Sequence, residues 1–341
     1  MSSSLELNGS ARNVARSAAR SGCAVAQACL HRLRNGPRRP DWNWTMELST
    51  QVLRNQLAAG FAMSDIEQSR RYLDSLVIHS SVLSQVRITP YRGENFGGSW
   101  FVANGTAPGT TLLYLHGGGF AYYPKAHANL IAMVTLAARS RTFALDYRLT
   151  PEHRFPAQLE DAQNAYQWLL DEGADPNDVV IAGDSAGGNM ALATLLVARD
   201  RGLPMPKLAV ALSPPTDFEA AAVIEGCRTS LVDNEEFDWI NRDMLLKWAD
   251  WYCSPAQYRN PYVSPYYADL RGLAPIYIQA GRAEILYDSI EAFVVRAKRQ
   301  GADVTLDSWD GMNHDFQMFG TRVPQSADAL RRLGQALSLN S

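Results

Sequence analysis

The sequence predicts an α/β fold, a mostly parallel sheet flanked by helices, and three observations carry that prediction. Short apolar runs of buried-strand length recur along the chain: Thr111–Leu115, Thr142–Leu145, Val179–Ala182, Leu208–Leu212, Ile276–Ala280 and Val304–Leu306. Helical stretches such as Pro156–Glu172 and Asn189–Arg201 lie between most of them, and alternating strands and helices imply a parallel sheet covered on both faces. The chain has 341 residues, 46% of them apolar and 20% charged, which is enough to bury a large core.

Charge excludes some partners. With 32 Lys and Arg against 35 Asp and Glu, the net charge of −3 gives no footprint for nucleic acid or an anionic membrane as the main partner. No run of 18 or more apolar residues exists, so no spanning helix and no stable membrane insertion is expected. Cys23, Cys29, Cys227 and Cys253 are scattered without zinc-ligand spacing. They read as small buried hydrophobes, and nothing specific supports a Cys227–Cys253 disulfide. No structural metal is expected.

The N-terminal region differs from the rest. Residues 1–40 hold seven Arg, six Ser and a single acid, Glu6. The preferred reading is a basic tail leading into an amphipathic helix over Asn13–Leu33, with Val14, Ala18, Val25 and Cys29 on its apolar face. An organelle transit peptide is the alternative; otherwise the protein is expected to be cytoplasmic. Trp44 to about Ala59 reads as a second helix, ended by Gly60. Ser64-Asp65-Ile66-Glu67 has the capping-box form S-x-x-E and predicts a third helix to about Leu76. Val86–Thr89 and Ser99–Val102 then read as an antiparallel pair across the Gly93–Gly98 turn region. Between Leu212 and Ile276 lie more than sixty residues with Trp239, Trp248 and Trp251, too many for a simple crossover. An insertion of cap helices over about 215–265 is expected there, at the carboxyl ends of the strands where open α/β sheets bind ligands. The chain thus divides into an N-terminal tail with cap helices, 1–85, and a catalytic domain, 86–341.

Three segments carry chemistry. Val179–Ala182 runs into Gly183-Asp184-Ser185-Ala186-Gly187, a G-x-S-x-G sequence between a strand and a helix. Its glycines let Ser185 occupy a strained turn, with the helix N-terminus beside developing negative charge. After Leu112–Leu115 comes His116-Gly117-Gly118-Gly119-Phe120, whose exposed backbone N–H groups suit an oxyanion. Gly117, Gly118 and Ala186 are the expected oxyanion donors. His116 is read as structural, holding the loop through ring hydrogen bonds. Enzymes with such an elbow order the chain nucleophile, acid, base. Of the six histidines only His314 follows Ser185, so order alone selects it as the base. The acid should follow the strand Ile276–Ala280, where Glu284 and Asp288 both qualify. Glu284 is favoured because it lies nearer the strand's carboxyl end; Asp288 falls one turn on, at a helix N-terminus. Asp184, Asp310 and Asp315 read as local turn, cap or support residues.

With these residues assembled, the chain resembles the hormone-sensitive-lipase-like family of α/β-hydrolases, the bacterial family IV esterases, over roughly Val86 to Leu333. His116–Phe120 resembles the family's HGGG motif, Gly183–Gly188 its GDSAGG elbow, and Asp146-Tyr147-Arg148-Leu149-Thr150-Pro151-Glu152-His153 its DYRLAPE segment. The resemblance implies an α/β-hydrolase fold with a helical cap and a serine carboxylesterase acting on short- to medium-chain acyl esters. It implies Ser185, His314 and Glu284 as the triad, no cofactor, a small-molecule ester as partner, and leaves a homodimer open. A lactonase or acyltransferase on a secondary metabolite, or a non-catalytic ligand-binding relative, are the alternatives. Two departures stand out. The family's acid segment D-P-L-x-D is Glu284-Ile285-Leu286-Tyr287-Asp288 here, with Glu284 at the first Asp; and Tyr122-Tyr123 replaces a glycine after the oxyanion loop.

Overall fold

The computed structural model describes residues 5–7, 9–78, 80–105, 109–219 and 229–339, with backbone alone for 5–7, 76–78 and 339. Cys227 therefore lies outside the described residues. A small antiparallel pair, β1 (Leu5–Leu7) and β2 (Leu76–Ile78), brackets the N-terminal helices. The main sheet has eight strands: β3 (Val86–Arg92), β4 (Gly97–Ala103), β5 (Thr111–Leu115), β6 (Arg141–Asp146), β7 (Val179–Asp184), β8 (Leu208–Leu212), β9 (Ile276–Gly281) and β10 (Val304–Trp309). Their order is β10-β9-β8-β7-β5-β6-β4-β3. β4 alone runs against the others, pairing antiparallel with β3 and β6.

Every residue of β5, β7, β8 and β9 is buried, as expected for parallel strands covered on both faces. Leu113 and Leu115 of β5 face α5 (Ala157–Asp171) and α6 (Ala186–Asp200), while Leu112 and Tyr114 face α4 (His127–Ala138) and the C-terminal helix Pro324–Leu339. Tyr287–Arg299 packs Ile290 and Phe293 beside β9.

The N-terminal helices correct the sequence reading in detail. α1 spans Ala11–Asn35, but it buries Ser17, Ala24 and Ala28 rather than the expected face of Val14, Ala18, Val25 and Cys29. Ala18 and Val25 are exposed, and so is Cys23; Cys253 is buried. The cause is a small, polar contact with α2 (Trp44–Phe61), which apolar periodicity does not reveal. There Gln56 Nε2 donates to the Ser17 carbonyl and to Ser21 Oγ, both at 2.9 Å, and Arg32 pairs with buried Glu47 at 2.7 Å. Gly60 does not stop α2; it lies buried inside the last turn, with Leu73 3.3 Å from where a Cβ would stand. α3 (Ile66–Leu73) is capped by Asp65, not Ser64, through the Glu67 and Gln68 N–H groups, and ends before Leu76. In the long insertion the described residues form α7 (Ser230–Asp233) and α8 (Arg242–Tyr252). The remaining helices, Tyr287–Arg299 and Pro324–Leu339, are α9 and α10. Among the described residues no helix is long and apolar enough to cross a membrane.

Strand register sets the site's level. Leu115 of β5 pairs with Gly183 of β7, Asp184 with Leu212 of β8, Leu212 with Gln279 of β9, and Gly281 with Trp309 of β10. Five strands thus end along one rim, and the loops leaving them face one another. On the opposite flank, α10 rests directly on α4 at Gly334, where a Cβ would collide with the Ala137 carbonyl oxygen. Gly334→Ala is expected to destabilise the protein by about 1–3 kcal/mol through overpacking, read as a lower urea midpoint at unchanged slope.

Candidate active site

The turn from β7 into α6 holds Ser185 at φ 49° and ψ −120°, a conformation a non-glycine residue occupies only under constraint. A Cβ on Gly183 would collide with Gly187, and one on Gly187 with the Leu115 carbonyl of the neighbouring strand, so both positions require glycine. The Ser185 N–H donates to the Leu212 carbonyl at 2.7 Å, fixing the turn against β8. Its Oγ lies 2.8 Å from His314 Nε2. With the hydroxyl donating to Nε2, the ring proton sits on Nδ1, which faces Glu284 Oε2 at 3.3 Å. The structure therefore brings together Ser185, His314 and Glu284. Asp288 is elsewhere: it lies in the first turn of α9, where its carboxylate accepts from the Ser230 N–H at 2.8 Å.

His314 and Glu284 are fully buried, and burial disfavours charge on each. It lowers the His314 pKa, against the raising influence of Asp238 and Asp184. It pushes Glu284 up to about 8, against the Ser213 hydroxyl and the Gly281 amide. A carboxylate beside Nδ1 then gains most when the imidazolium forms, since each charge compensates the other's lost hydration.

Asp238 was not singled out by sequence. It stands among several acids of the insertion with no local motif to distinguish it. Fully buried, its carboxylate accepts from Ile285 N–H (2.8 Å), Trp239 N–H (2.8 Å) and His314 N–H (3.2 Å), joining the Glu284 loop to the His314 loop. Burial still pushes it up to about 6. The His314 loop has further holds: Trp42 Nε1 donates to the Gly311 carbonyl at 2.6 Å, Trp239 Nε1 to the His314 carbonyl at 2.6 Å, and Asn313 Nδ2 to Thr50 Oγ1 at 2.9 Å. The N-terminal helices and the insertion both anchor His314.

The oxyanion loop differs from expectation at one residue. The Gly117 N–H donates to Asp184 Oδ1 at 3.0 Å and so leaves the donor set. Gly118 and Gly119 line the cavity beside Ser185 instead, and Ala186 opens α6, where a helical N–H has no intrahelical partner. Asp184 is the support residue anticipated: it also accepts from Tyr114 Oη at 2.7 Å and from His127 Nε2 at 2.9 Å. Burial pulls its carboxyl upward, but His127, Tyr114 and His116 together hold it below the ordinary value. His116 is structural as expected, held by stacking as well as by a ring hydrogen bond. Its ring lies between Tyr123 (3.6 Å between centroids) and Tyr147 (4.0 Å), and Nδ1 donates to the Gly117 carbonyl at 2.7 Å. Burial drops its pKa to about 3, so the ring is neutral. The Tyr122-Tyr123 pair is thereby explained: Tyr123 covers His116, and Tyr122 bounds the cavity.

That cavity, about 490 Å³, opens over Ser185 and His314 beneath Leu53 and Leu57 of α2, Trp239 and Ile240 of the insertion, and Trp248 of α8. A half-buried hydroxyl on a buried imidazole, facing a mostly apolar cavity and a row of backbone donors, suits acyl transfer.

The α/β hydrolase fold family model matches residues 112–318. An esterase from the bacterial hormone-sensitive lipase family, solved by crystallography, superposes with TM-score 0.74 at 33% identity, covering 84% of this chain and 96% of that one. This chain belongs to the hormone-sensitive-lipase-like family of α/β-hydrolases. An acetyl-hydrolase of Streptomyces hygroscopicus is 37% identical over 233 residues, 67% of this chain and 75% of that protein. An esterase of Acinetobacter venetianus is 31% identical over 254 residues, 73% of this chain and 81% of its own. The crystal structure of EstE5 soaked with p-nitrophenyl butyrate gives TM-score 0.79 at 32% identity, over 88% of this chain and 99% of that one. The protein is an ester-hydrolysing enzyme.

In this esterase the acid is testable by exchange. Glu284→Gln is expected to lower kcat by at least about a hundredfold in a p-nitrophenyl butyrate assay, and Asp288→Asn by less than about threefold. The reverse order would transfer the role to Asp288.

Proposed function

We propose that the esterase cleaves carboxylic esters of short to medium acyl chain through an acyl-enzyme on Ser185, with His314 as base and Glu284 as its acid partner. The 2.8 Å Ser185–His314 hydrogen bond at the strained elbow carries this reading. His314 takes the hydroxyl proton as Oγ attacks the ester carbonyl, and the imidazolium is balanced by Glu284. The oxyanion faces the N–H groups of Gly118, Gly119 and Ala186, each such donor worth about 3–4 kcal/mol. His314 then returns its proton to the departing alcohol, and water, activated by the same ring, releases the acid.

The chain-length reading comes from the family resemblance, and the cavity has room for it. A volume near 490 Å³, walled by Tyr122, Trp239 and Trp248, accommodates a small acyl group and its alcohol. The relatives named acetyl-hydrolase and the butyrate-soaked EstE5 fit the same range. Because the pair of a polarised hydroxyl and a neutral imidazole is intact, a purely ligand-binding role is the weaker reading.

The wild type is expected to turn over p-nitrophenyl acetate and butyrate, and Ser185→Ala to lose at least about a thousandfold in kcat. Equal rates in the two would sink the role of Ser185. The base must be neutral, and burial holds the His314 pKa below its ordinary 6.5. The kcat/KM profile should therefore carry an acid limb centred below pH 6.5 from His314, distinct from any change near pH 8 where Glu284 titrates; a profile with no limb centred below 6.5 would contradict a buried base.

A further inference from the structure

One buried acid beside the reacting atoms has no task in the mechanism above. Asp315 follows His314, lines the cavity, and is only 4% exposed. Its Oδ2 lies 3.3 Å from His314 Nε2, on the nitrogen that also meets Ser185, and its Oδ1 is buried with no hydrogen-bond partner. The backbone holds it in place: φ is 48°, and the Asp315 N–H donates to Ser213 Oγ at 3.1 Å. Of the other carboxyls nearby, Asp184 is occupied by His127 and Tyr114 and Asp238 by three backbone N–H groups, while Glu284 faces the far side of the His314 ring, away from the cavity. Leaving a buried carboxyl oxygen such as Oδ1 unsatisfied in such a place is costly unless a ligand completes it.

Nε2 is the atom that returns a proton to the leaving oxygen. A group 3.3 Å from Nε2 on the cavity wall therefore borders the alcohol half of the ester, a few ångströms beyond the scissile bond. We propose that Asp315 is a specificity-determining residue that favours esters whose alcohol carries a hydroxyl two carbons from the ester oxygen. Burial, with Asp184, Glu284 and Asp238 adding to it, pushes the carboxyl well above its ordinary range, toward its neutral form. A neutral carboxyl offers one O–H donor and one carbonyl acceptor, which a substrate hydroxyl answers as acceptor and donor.

This inference rests on the ester-hydrolase reading, and the test separates the two. The probes are 2-hydroxyethyl butyrate and propyl butyrate, equal in size and differing by a hydroxyl for a methyl. The wild type should prefer the hydroxyethyl ester by about tenfold in kcat/KM, the size of one neutral hydrogen bond. Asp315→Gly, which suits the positive φ, should remove the preference; Asp315→Asn, equally tolerant of that φ and able to donate and accept, should retain most of it. Equal kcat/KM for the two esters in the wild type, or a preference that survives Asp315→Gly, would overturn the proposal while leaving Ser185 chemistry intact. A preference for butyrylcholine over both probes would overturn it in favour of an anionic subsite. Undiminished hydrolysis by Ser185→Ala would instead remove the reading beneath it.

Discussion

The close approach of β5 and β7 at their carboxyl ends governs the site. Gly183 and Gly187 leave no room for a side chain beside the Leu115 carbonyl, and the chain between them has to turn through a backbone conformation that L-residues avoid. Holding Ser185 there costs on the order of 1–3 kcal/mol, supplied by a sheet whose central strands are buried on both faces. The return is positional. Ser185 stands clear of the sheet, directly beside the glycine loop that leaves β5 at the same level.

The second constraint is electrostatic. Four carboxyls, those of Asp184, Asp238, Glu284 and Asp315, lie buried around one imidazole, an arrangement that would be strongly unfavourable if all were charged and unpaired. The structure gives each a different answer. Asp184 is held ionised by His127 and by donors that also shape the oxyanion loop. Asp238 ties two loops together through backbone N–H groups. Glu284 is compensated by His314, and Asp315 is pushed toward its neutral form. Similar side chains within one small volume thus acquire distinct work from their neighbours alone.

Much of this was legible in the sequence because it is local. The six parallel strands read from their apolar runs are all present, each with the same or slightly longer bounds. The elbow at Ser185 and the position of Glu284, rather than Asp288, beside the His314 ring followed from short spacings and the exit point of one strand. Gly117 was misjudged because a row of three glycines does not reveal which N–H a remote carboxylate takes; Asp184 Oδ1 takes the first. The buried face of α1 was missed for a related reason. It packs through Ser17, Ala24 and Ala28, residues too small and too polar to register as an apolar stripe.

Sequence alone settled the strand–turn–helix at Ser185, the glycine loop after β5 and the single histidine downstream, since backbone strain and chain order leave those features few alternatives. It could not settle how Asp238 joins the loops of Glu284 and His314, or how Trp42 and Thr50 anchor the His314 loop. Those contacts join residues between 47 and 269 positions apart, and a buried polar group finds its partner only when the folded chain has closed every other route to water.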